Sequence, residues 1–164
     1  MQLEKEFLAH IQQHQRIIHK VCHVYEQESV AREDLFQEIV LQAWHSFSKF
    51  RGDSKFSTWL YRVALNTAIA FLRKDKKHPT VISTIVFPES TESKDETEEQ
   101  VKAMHKAIAA LSKIDKALVM LYLEDYDYKE IGDTLGITAN NVAVKMNRLK
   151  IKLKSETQKY YQYS

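Results

Sequence analysis

Apolar side chains recur at helical spacing in two parts of the chain. Positions three and four residues apart share one face of a helix, so each such stripe predicts an amphipathic helix with one buried side. The two stripes nearer the N-terminus are Phe36, Val40, Ala43, Trp44 and Phe47, and Leu60, Val63, Ala64, Thr67 and Phe71. The two nearer the C-terminus are Val101, Met104, Ile108 and Leu111, and Ile114, Leu118, Leu121 and Tyr122. Only 3 glycines and 2 prolines interrupt the 164 residues, which favours an all-α fold.

The segment at residues 78–100 differs in composition from the chain on either side. It holds both prolines and carries 1 basic and 6 acidic side chains, a net charge of −5. The flanking blocks, residues 1–77 and 101–164, have net charges of +3 and +4. A polar, charged segment buries too little apolar surface to offset its chain entropy. We therefore expect two small helical domains, 1–77 and 101–164, joined by a flexible acidic linker, whose apolar stretch 81–87 lies on another surface.

The composition narrows the location and the chemistry of the protein. Cys22 is the only cysteine, so the chain has no internal disulfide framework and fits a reducing compartment. The N-terminus lacks the apolar core of a signal peptide, and no run of about 18 apolar residues could span a bilayer. We expect a cytoplasmic protein with no direct membrane insertion. Because a Gly-rich phosphate loop, a nucleophile elbow and an HExxH motif are all missing, we expect neither an enzyme nor a cofactor.

The start and stop signals of two consecutive helices lie close together in the C-terminal block. Asp127 and Glu130 have the spacing of a capping box that begins a helix at Tyr128, and Gly136 ends this helix. Thr138 follows as the N-cap of a second helix. A short helix, a glycine turn and a second capped helix predict a helix-turn-helix.

The second of these helices separates apolar from basic residues. Its predicted buried stripe is Val142, Met146, Leu149 and Leu153, and the adjacent stripe is Asn141, Lys145, Arg148 and Lys152. Residues 145–154 include five basic side chains and no acidic one. An amide near the helix start suits base edges, and cations farther along suit phosphates. We interpret this face as a DNA-binding surface, and the alternative is a solvated basic face on a bundle helix.

Aromatic and basic side chains alternate within residues 50–74. The rings of Phe50, Phe56, Trp59 and Tyr61 are interleaved with Lys49, Arg51, Lys55 and Arg62, and one helix face carries Arg62, Asn66 and Arg73. Unpaired bases stack on aromatic rings while cations follow the backbone, so the pattern indicates contact with single-stranded nucleic acid. The alternative is that most of these rings belong to the core. For Trp59 the two interpretations have equal weight.

Residues 33–44 carry carboxylate and amide side chains in an otherwise basic block. Asp34, Glu38, Gln42 and His45 form a polar stripe, with Gln37 beside it. Such a face suits a basic partner. From the residues alone, however, a solvated helix face is the favoured interpretation.

Histidines near the N-terminus have a spacing that can bind zinc. His10 and His14 are four residues apart, as are His19 and His23. Cys22 projects about 100° away from His23 on a helix, and no second cysteine is present to complete a thiolate site. We therefore predict no metal site and expect surface histidines near a binding groove.

Three segments together resemble the sigma factors of bacterial RNA polymerase, in the extracytoplasmic-function (ECF) subfamily. They are FRGDSKFSTWLYRVALNTA, DLFQE with the following AW, and YKEIGDTLGI followed by a capped basic helix. The resemblance covers roughly residues 7–155. It implies a transcription initiation factor that binds core RNA polymerase, recognises the −10 and −35 promoter elements and assists melting. Core RNA polymerase, promoter DNA and an anti-sigma factor are the implied partners.

The resemblance also implies three groups of contact residues. Those that dock on the polymerase clamp helices are Asp34, Gln37 and Glu38. Those that contact the −10 element are Phe50, Arg51, Asp53, Ser54, Lys55, Phe56, Thr58, Trp59, Arg62, Asn66 and Arg73. Those that contact the −35 element are Thr138, Asn140, Asn141, Val144, Lys145, Arg148 and Lys152. Ala143 and Val144 depart from the polar residues of many relatives, and contacts there are expected to be apolar, as with thymine methyl groups.

Two other classes of function are consistent with parts of the sequence. A stand-alone helix-turn-helix regulator would use the C-terminal domain but has no need of residues 50–74. A regulatory interaction module with an occluded DNA-binding face is the third class. The segment 50–74 is the feature that favours a sigma factor over the stand-alone regulator.

Overall fold

A computed structural model of the chain describes residues 2–74 and 96–162, with side chains for 2–71 and 98–158. In this part of the chain the backbone forms seven helices and no strand, which confirms the predicted all-α fold. The helices are α1 (Gln2–Tyr25), α2 (Ser29–Phe47), α3 (Phe56–Lys74), α4 (Glu96–Ala109), α5 (Lys113–Leu123), α6 (Tyr128–Leu135) and α7 (Ala139–Gln162). They form two compact units, α1–α3 and α4–α7. None of the described helices is long and apolar enough to cross a membrane.

The segment predicted as a linker, residues 78–100, lies mostly outside the described residues. Its last part is helical, because α4 begins at Glu96. Glu98 and Glu99 therefore lie in the first turn of a helix, where acidic side chains interact favourably with the helix dipole. Part of the negative charge that suggested a linker thus belongs to a helix start.

In the first unit, each of the three helices packs against the other two. Its largest fully buried side chains are aliphatic: Ile18, Val21 and Val24 on α1, Leu35 and Ile39 on α2, and Leu60 and Leu65 on α3. Full burial of one such side chain contributes about 1.5–3 kcal/mol. The centre of this bundle is therefore aliphatic.

The buried face of α2 differs from the predicted one. Its buried side chains are Leu35, Ile39, Ala43 and Phe47. Phe36 and Val40 are half-buried and Trp44 is 38% exposed, so their assignment to the core face was wrong. The true stripe begins one residue earlier, a rotation of about 100°. The large rings lie at its edge, where Phe36 stacks on His19 at 4.8 Å and Trp44 contacts Phe7 at 5.1 Å between ring centroids.

Helix α3 buries a wider face than predicted. Its buried side chains are Phe56, Leu60, Tyr61, Ala64, Leu65, Ala68 and Ile69. Leu60 and Ala64 confirm the predicted stripe, whereas Val63, Thr67 and Phe71 are only half-buried. The physical reason is that α3 packs against both α1 and α2, so two neighbouring stripes are covered.

In the second unit, α7 packs against α4, α5 and α6. Leu118 and Leu121 are fully buried as predicted, whereas Tyr122 is 38% exposed. The buried side chains of α4 are Ala103, Ala107 and Ile108. Val101 and Met104 are 49% and 38% exposed, so their prediction as core residues was wrong. The face of α4 toward the core uses small alanines, which let two helices approach closely.

The turn between α6 and α7 passes very close to α6. The Gly132 carbonyl accepts the N–H groups of Gly136 and Ile137 at 2.8 and 3.0 Å. A Cβ added to Gly132 would lie 2.5 Å from the Ile137 carbonyl oxygen, a distance that real Cβ atoms do not show. Gly136 has φ +76°, the left-handed conformation that glycine adopts without strain. Two glycines with different roles therefore shape this turn.

We expect Gly132→Ala to destabilise the second unit by about 1–3 kcal/mol, because the added methyl group has to displace turn backbone. Unfolding of the full chain, followed by circular dichroism, measures the change. The matched control is Asp133→Ala at the next, exposed position, which should stay within about 0.5 kcal/mol of the natural chain. Equal stabilities of the two variants would show that the turn has room for a side chain.

Candidate nucleic-acid interface

Side-chain caps fix the starts of both helices of the predicted helix-turn-helix. Asp127 Oδ1 accepts the N–H of Glu130 at 2.8 Å, and this hydrogen bond lowers the pKa of Asp127. Thr138 Oγ1 accepts the N–H of Asn141 at 3.1 Å and so caps α7. Both caps and the end of α6 at Gly136 are confirmed. Each cap satisfies a helix N-terminal donor that would otherwise lack a partner in its helix.

Helix α7 has an apolar side and a polar side. The predicted inward residues Val142, Met146 and Leu149 are buried, and Leu153 is half-buried. The predicted DNA-contact residues Thr138, Asn140, Asn141, Val144, Lys145, Arg148 and Lys152 are all exposed. The structure therefore leaves an amide-rich start and a basic continuation accessible on α7.

Lys150, another basic residue of α7, contacts two tyrosines that lie on other helices. Its Nζ lies 4.7 Å from the centroid of the Tyr122 ring and donates to the hydroxyl of Tyr128 at 3.4 Å. Hydrogen bonding to Tyr122 and Tyr128 raises the pKa of Lys150. This lysine ties α7 to α5 and α6. The five basic residues of 145–154 are therefore not one functional set, which agrees with the predicted stripe of Lys145, Arg148 and Lys152, where Lys150 is absent.

Four aromatic rings surround the joint between α2 and α3, and we call Phe47, Phe50, Phe56 and Trp59 the aromatic cluster. Phe47 ends α2 and Phe56 begins α3, and their rings meet edge to face with centroids 6.3 Å apart. Phe50, in the connecting loop 48–55, lies 5.8 Å from Phe56 and 5.3 Å from Trp59. Trp59 lies 5.3 Å from Phe56. The loop therefore joins two helices through a shared set of ring contacts.

The rings that were predicted to stack on bases differ in how far they are buried. Phe56 and Tyr61 are 8% and 3% exposed, which agrees with the alternative that these rings belong to the core. Phe50 and Trp59 are half-buried, so each has one part in the aromatic cluster and another at the surface. In this structure Phe50 and Trp59 have ring surface to offer a ligand, and Phe56 supports them.

The loop 48–55 is anchored at its ends and polar at its tip. The Phe50 N–H donates to the Phe47 carbonyl at 3.0 Å, and the Trp59 N–H donates to the Lys55 carbonyl at 3.1 Å. Gly52 has φ +77° and allows the sharp reversal between these anchors. The exposed polar residues of the loop are Ser48, Lys49, Arg51, Asp53, Ser54 and Lys55, and Thr58 is half-buried on α3. The loop thus exposes both charge signs next to the half-buried rings.

A groove of about 400 Å³ runs between α2 and α3. Its lining residues are Glu38, Gln42, Ser46, Val63, Asn66, Thr67, Ala70 and Phe71. On the α2 side, Gln42 Nε2 donates to Glu38 Oε1 at 3.0 Å. The groove brings together Glu38, predicted to contact polymerase, and Asn66, predicted to contact DNA. This proximity could not be predicted from sequence spacing, because the two residues lie on different helices.

The remaining predicted residues of the first unit lie on exposed helix positions. Asp34 and Gln37 on α2 are exposed, and so is Arg62 on α3. The side chain of Arg73 lies outside the described residues.

The structure gives the N-terminal cysteine and histidines packing roles. In the part of the chain it describes, no group of three His, Cys, Asp or Glu side chains could hold a metal ion. Burial raises the pKa of the Cys22 thiol to about 12, so this thiol stays protonated at neutral pH. Arg32 Nη1 donates to His23 Nδ1 at 2.8 Å, and burial together with the Arg32 charge lowers the pKa of His23.

His10 and His14 lie against the aromatic cluster. Their ring centroids are 4.6 and 5.0 Å from that of Phe56. Both side chains are half-buried, so this pair is less exposed than the expected surface histidines near a binding groove. Sequence spacing placed them on one face of α1 but could not show which ring they meet.

Comparison with known proteins covers both units. The family described as Sigma-70 region 2 matches residues 10–78, and the family described as Sigma-70, region 4 matches residues 102–153. The ECF RNA polymerase sigma factor SigM of Mycobacterium tuberculosis (strain H37Rv) is 26% identical over 141 residues, covering 85% of this chain and 71% of the relative. The ECF RNA polymerase sigma factor SigW of Bacillus subtilis (strain 168) is 26% identical over 132 residues, covering 71% and 70%.

A solved structure shares the fold. The sigma factor RpoE, crystallised in complex with the anti-sigma factor NepR from Bartonella quintana, superposes with a TM-score of 0.75 at 18% sequence identity. The similarity covers 94% of this chain and 98% of that one. The helix-turn-helix and the loop 48–55 with its aromatic cluster are consistent with both family matches. The chain belongs to the ECF sigma factors of RNA polymerase.

Proposed function

We propose that this sigma factor uses its two units on two different promoter elements. The second unit reads the −35 element as duplex DNA, and the first unit holds the −10 element as a single strand and so assists melting. The observation that carries the proposal is the aromatic cluster beside an exposed polar loop, because a protein that binds only duplex DNA has no need of it. The chain acts in the cytoplasm as a binding factor, and the polymerase performs the catalysis.

On α7 we assign base contacts to the first turns and phosphate contacts to the rest. The amide of Asn141 can bond to adenine N6 and N7, a pair worth about 1–3 kcal/mol of discrimination. Thr138 and Asn140 lie at the same end, and Val144, which is 43% exposed, suits a thymine methyl group. The residues assigned to phosphates are Lys145, Arg148 and Lys152. Phosphate contacts position the helix without carrying sequence information.

In the first unit we assign base stacking to the half-buried rings of Phe50 and Trp59. Phe56 lies under both and supports them. The residues assigned to polar contacts with a flipped base and its phosphates are Arg51, Asp53, Ser54, Lys55 and Thr58. The α3 residues assigned to the strand itself are Arg62, Asn66 and Arg73. Rings and cations side by side suit an unpaired strand, since every base has a face that stacks.

Two protein partners complete the proposal. Asp34, Gln37 and Glu38 are assigned to core RNA polymerase, because carboxylates on α2 complement a basic surface and fix register. The related RpoE is bound to an anti-sigma factor. We extend this kind of partner to the present chain, as a protein that competes for its DNA or polymerase surfaces.

In vitro transcription with purified core polymerase on genomic fragments separates the classes of function. A sigma factor makes the core enzyme start at defined promoters without any other factor. A stand-alone helix-turn-helix regulator binds DNA but leaves the core enzyme unable to initiate. An interaction module with an occluded DNA-binding face does neither as the full chain.

We expect Glu38→Lys to weaken binding to core polymerase by about 2–5 kcal/mol, because it replaces a charged contact with a repelling one. Fluorescence anisotropy with labelled sigma factor measures the affinity, and circular dichroism checks folding. Glu6→Lys is the control, since it makes the same charge reversal at an exposed position of α1 that is assigned to no interface. A folded Glu38→Lys chain with natural affinity would remove α2 from the interface.

We expect Arg62→Ala and Asn66→Ala to impair initiation on a duplex promoter more than on one pre-melted at the −10 element. Their side chains are assigned to the unpaired strand, so the pre-melted template should restore at least part of the activity. Transcription by reconstituted holoenzyme on the two templates gives the ratio. Equal losses on both templates would indicate ordinary backbone binding, and natural activity on both would take the two residues out of the site.

We expect Asn141→Ala and Arg148→Ala to have different effects on −35 recognition. Asn141→Ala should relax base preference at one or two positions, whereas Arg148→Ala should weaken binding to all sequences and reduce the salt slope by about 1. Titration of holoenzyme with −35 variants at several salt concentrations measures both. Lys154→Ala is the matched control, an exposed cation on another side of α7. A change in base preference from Arg148→Ala alone would reverse the assigned direction of docking.

A further inference from the structure

Helix α1 is kinked where it meets the aromatic cluster. His14 has φ −120° and ψ 18°, values outside the helical range, in the middle of α1. Its ring Nδ1–H donates to the His10 carbonyl oxygen at 2.8 Å. In a regular helix this carbonyl accepts the backbone N–H of residue 14. The side chain thus gives the kink an additional bond, and that bond fixes the orientation of the His14 ring.

His10 and His14, which begin and end this kinked turn, contact the same ring. His10 stacks on Phe56 with an interplanar angle of 21° and a centroid distance of 4.6 Å. His14 approaches Phe56 at 5.0 Å with a tilt of 52°. His10 also lies 6.1 Å from Phe47. The kink therefore presents two imidazoles to the rings at the joint of α2 and α3.

Phe56 is the nearer of two rings that hold the two half-buried rings, at 5.8 and 5.3 Å from Phe50 and Trp59, against 6.3 and 6.2 Å for Phe47. It lies directly after the loop 48–55 and contacts both Phe50 and Trp59. The hydrogen bonds at the loop ends leave the side-chain angles of these rings free, so ring packing decides how they face the surface. A shift of Phe56 would move Phe50 and Trp59 together. Weak binding follows when a site has to be ordered during binding rather than before it.

We propose that His10 and His14 are positioning residues for the −10 loop: through the kink of α1 they fix Phe56, and Phe56 fixes Phe50 and Trp59 for stacking on unpaired bases. The inference rests on the proposed role of the loop in binding the −10 strand. The histidines themselves do not touch DNA. They act by holding the rings in the orientation that the strand requires before it arrives.

The test uses full-chain holoenzyme and paired substitutions that keep or remove the relevant feature. His10→Phe keeps a stacking ring, whereas His10→Leu removes it at similar size. His14→Asn keeps a short side chain that can donate to the His10 carbonyl, whereas His14→Leu cannot. The probe is a single-stranded oligonucleotide carrying the non-template −10 sequence. Tryptophan emission of the free chain in a Trp44→Phe background, in which Trp59 is the remaining tryptophan of this chain, reports the environment of the cluster.

We expect His10→Leu and His14→Leu to weaken oligonucleotide binding about tenfold and to shift Trp59 emission, while affinity for core polymerase stays unchanged. His10→Phe and His14→Asn should recover most of the binding. Natural binding and emission in both leucine variants would overturn the inference. Equal losses in all four variants would also overturn it, because they would indicate general packing rather than a role for the stacking ring and the hydrogen bond.

Two further measurements distinguish positioning from a general loss of stability, and the inference from the proposed function. Thermal unfolding of each variant is compared with oligonucleotide binding at a temperature where all variants are folded, and binding that follows stability alone contradicts positioning. Arg51→Ala with Lys55→Ala tests the loop itself. Natural oligonucleotide binding in that double variant would contradict the proposed function, whereas a loss there with natural binding in the histidine variants would contradict only the inference.

Discussion

The contact between Phe47 and Phe56 is the interaction on which the first unit's functional surface depends. One ring ends α2 and the other begins α3, so their packing fixes the two ends of the loop 48–55. Aromatic pairs of this kind add about 0.5–1.5 kcal/mol beyond the area they bury. The larger effect is geometric, because a loop with fixed ends and packed rings loses little freedom on binding. An exposed polar tip can then vary in sequence while its position stays the same.

In the second unit, backbone geometry and helix caps position the functional surface. The close approach at Gly132 and the left-handed Gly136 set the distance and direction between α6 and α7. The caps at Asp127 and Thr138 then fix where each helix begins. A recognition helix that starts at a fixed residue presents the same side chains to the groove in every molecule. Side-chain packing orders one unit's surface, and backbone geometry orders the other's.

This difference explains which features could be predicted from the sequence. The caps, the glycine end and the exposed stripe of α7 follow from residues close together in the chain, and the structure confirms them. The core face of α2 depends on how two other helices pack against it, and there the prediction was off by one position. Large rings such as Trp44 dominated the apparent stripe, although a ring can cover the edge of a core from a partly exposed position.

In the candidate site, too, sequence patterns did not predict how single residues pack against other helices. Helical spacing left Lys150 out of the stripe that contains Arg148, but it could not show what Lys150 contacts. In the structure, two tyrosines from other helices hold Lys150. Likewise, Phe56 and Phe50 belong to the same aromatic–basic pattern, yet one is buried and the other is half-buried. A sequence pattern therefore indicates which chemistry a segment contains, and packing decides which of its members remain available to a partner.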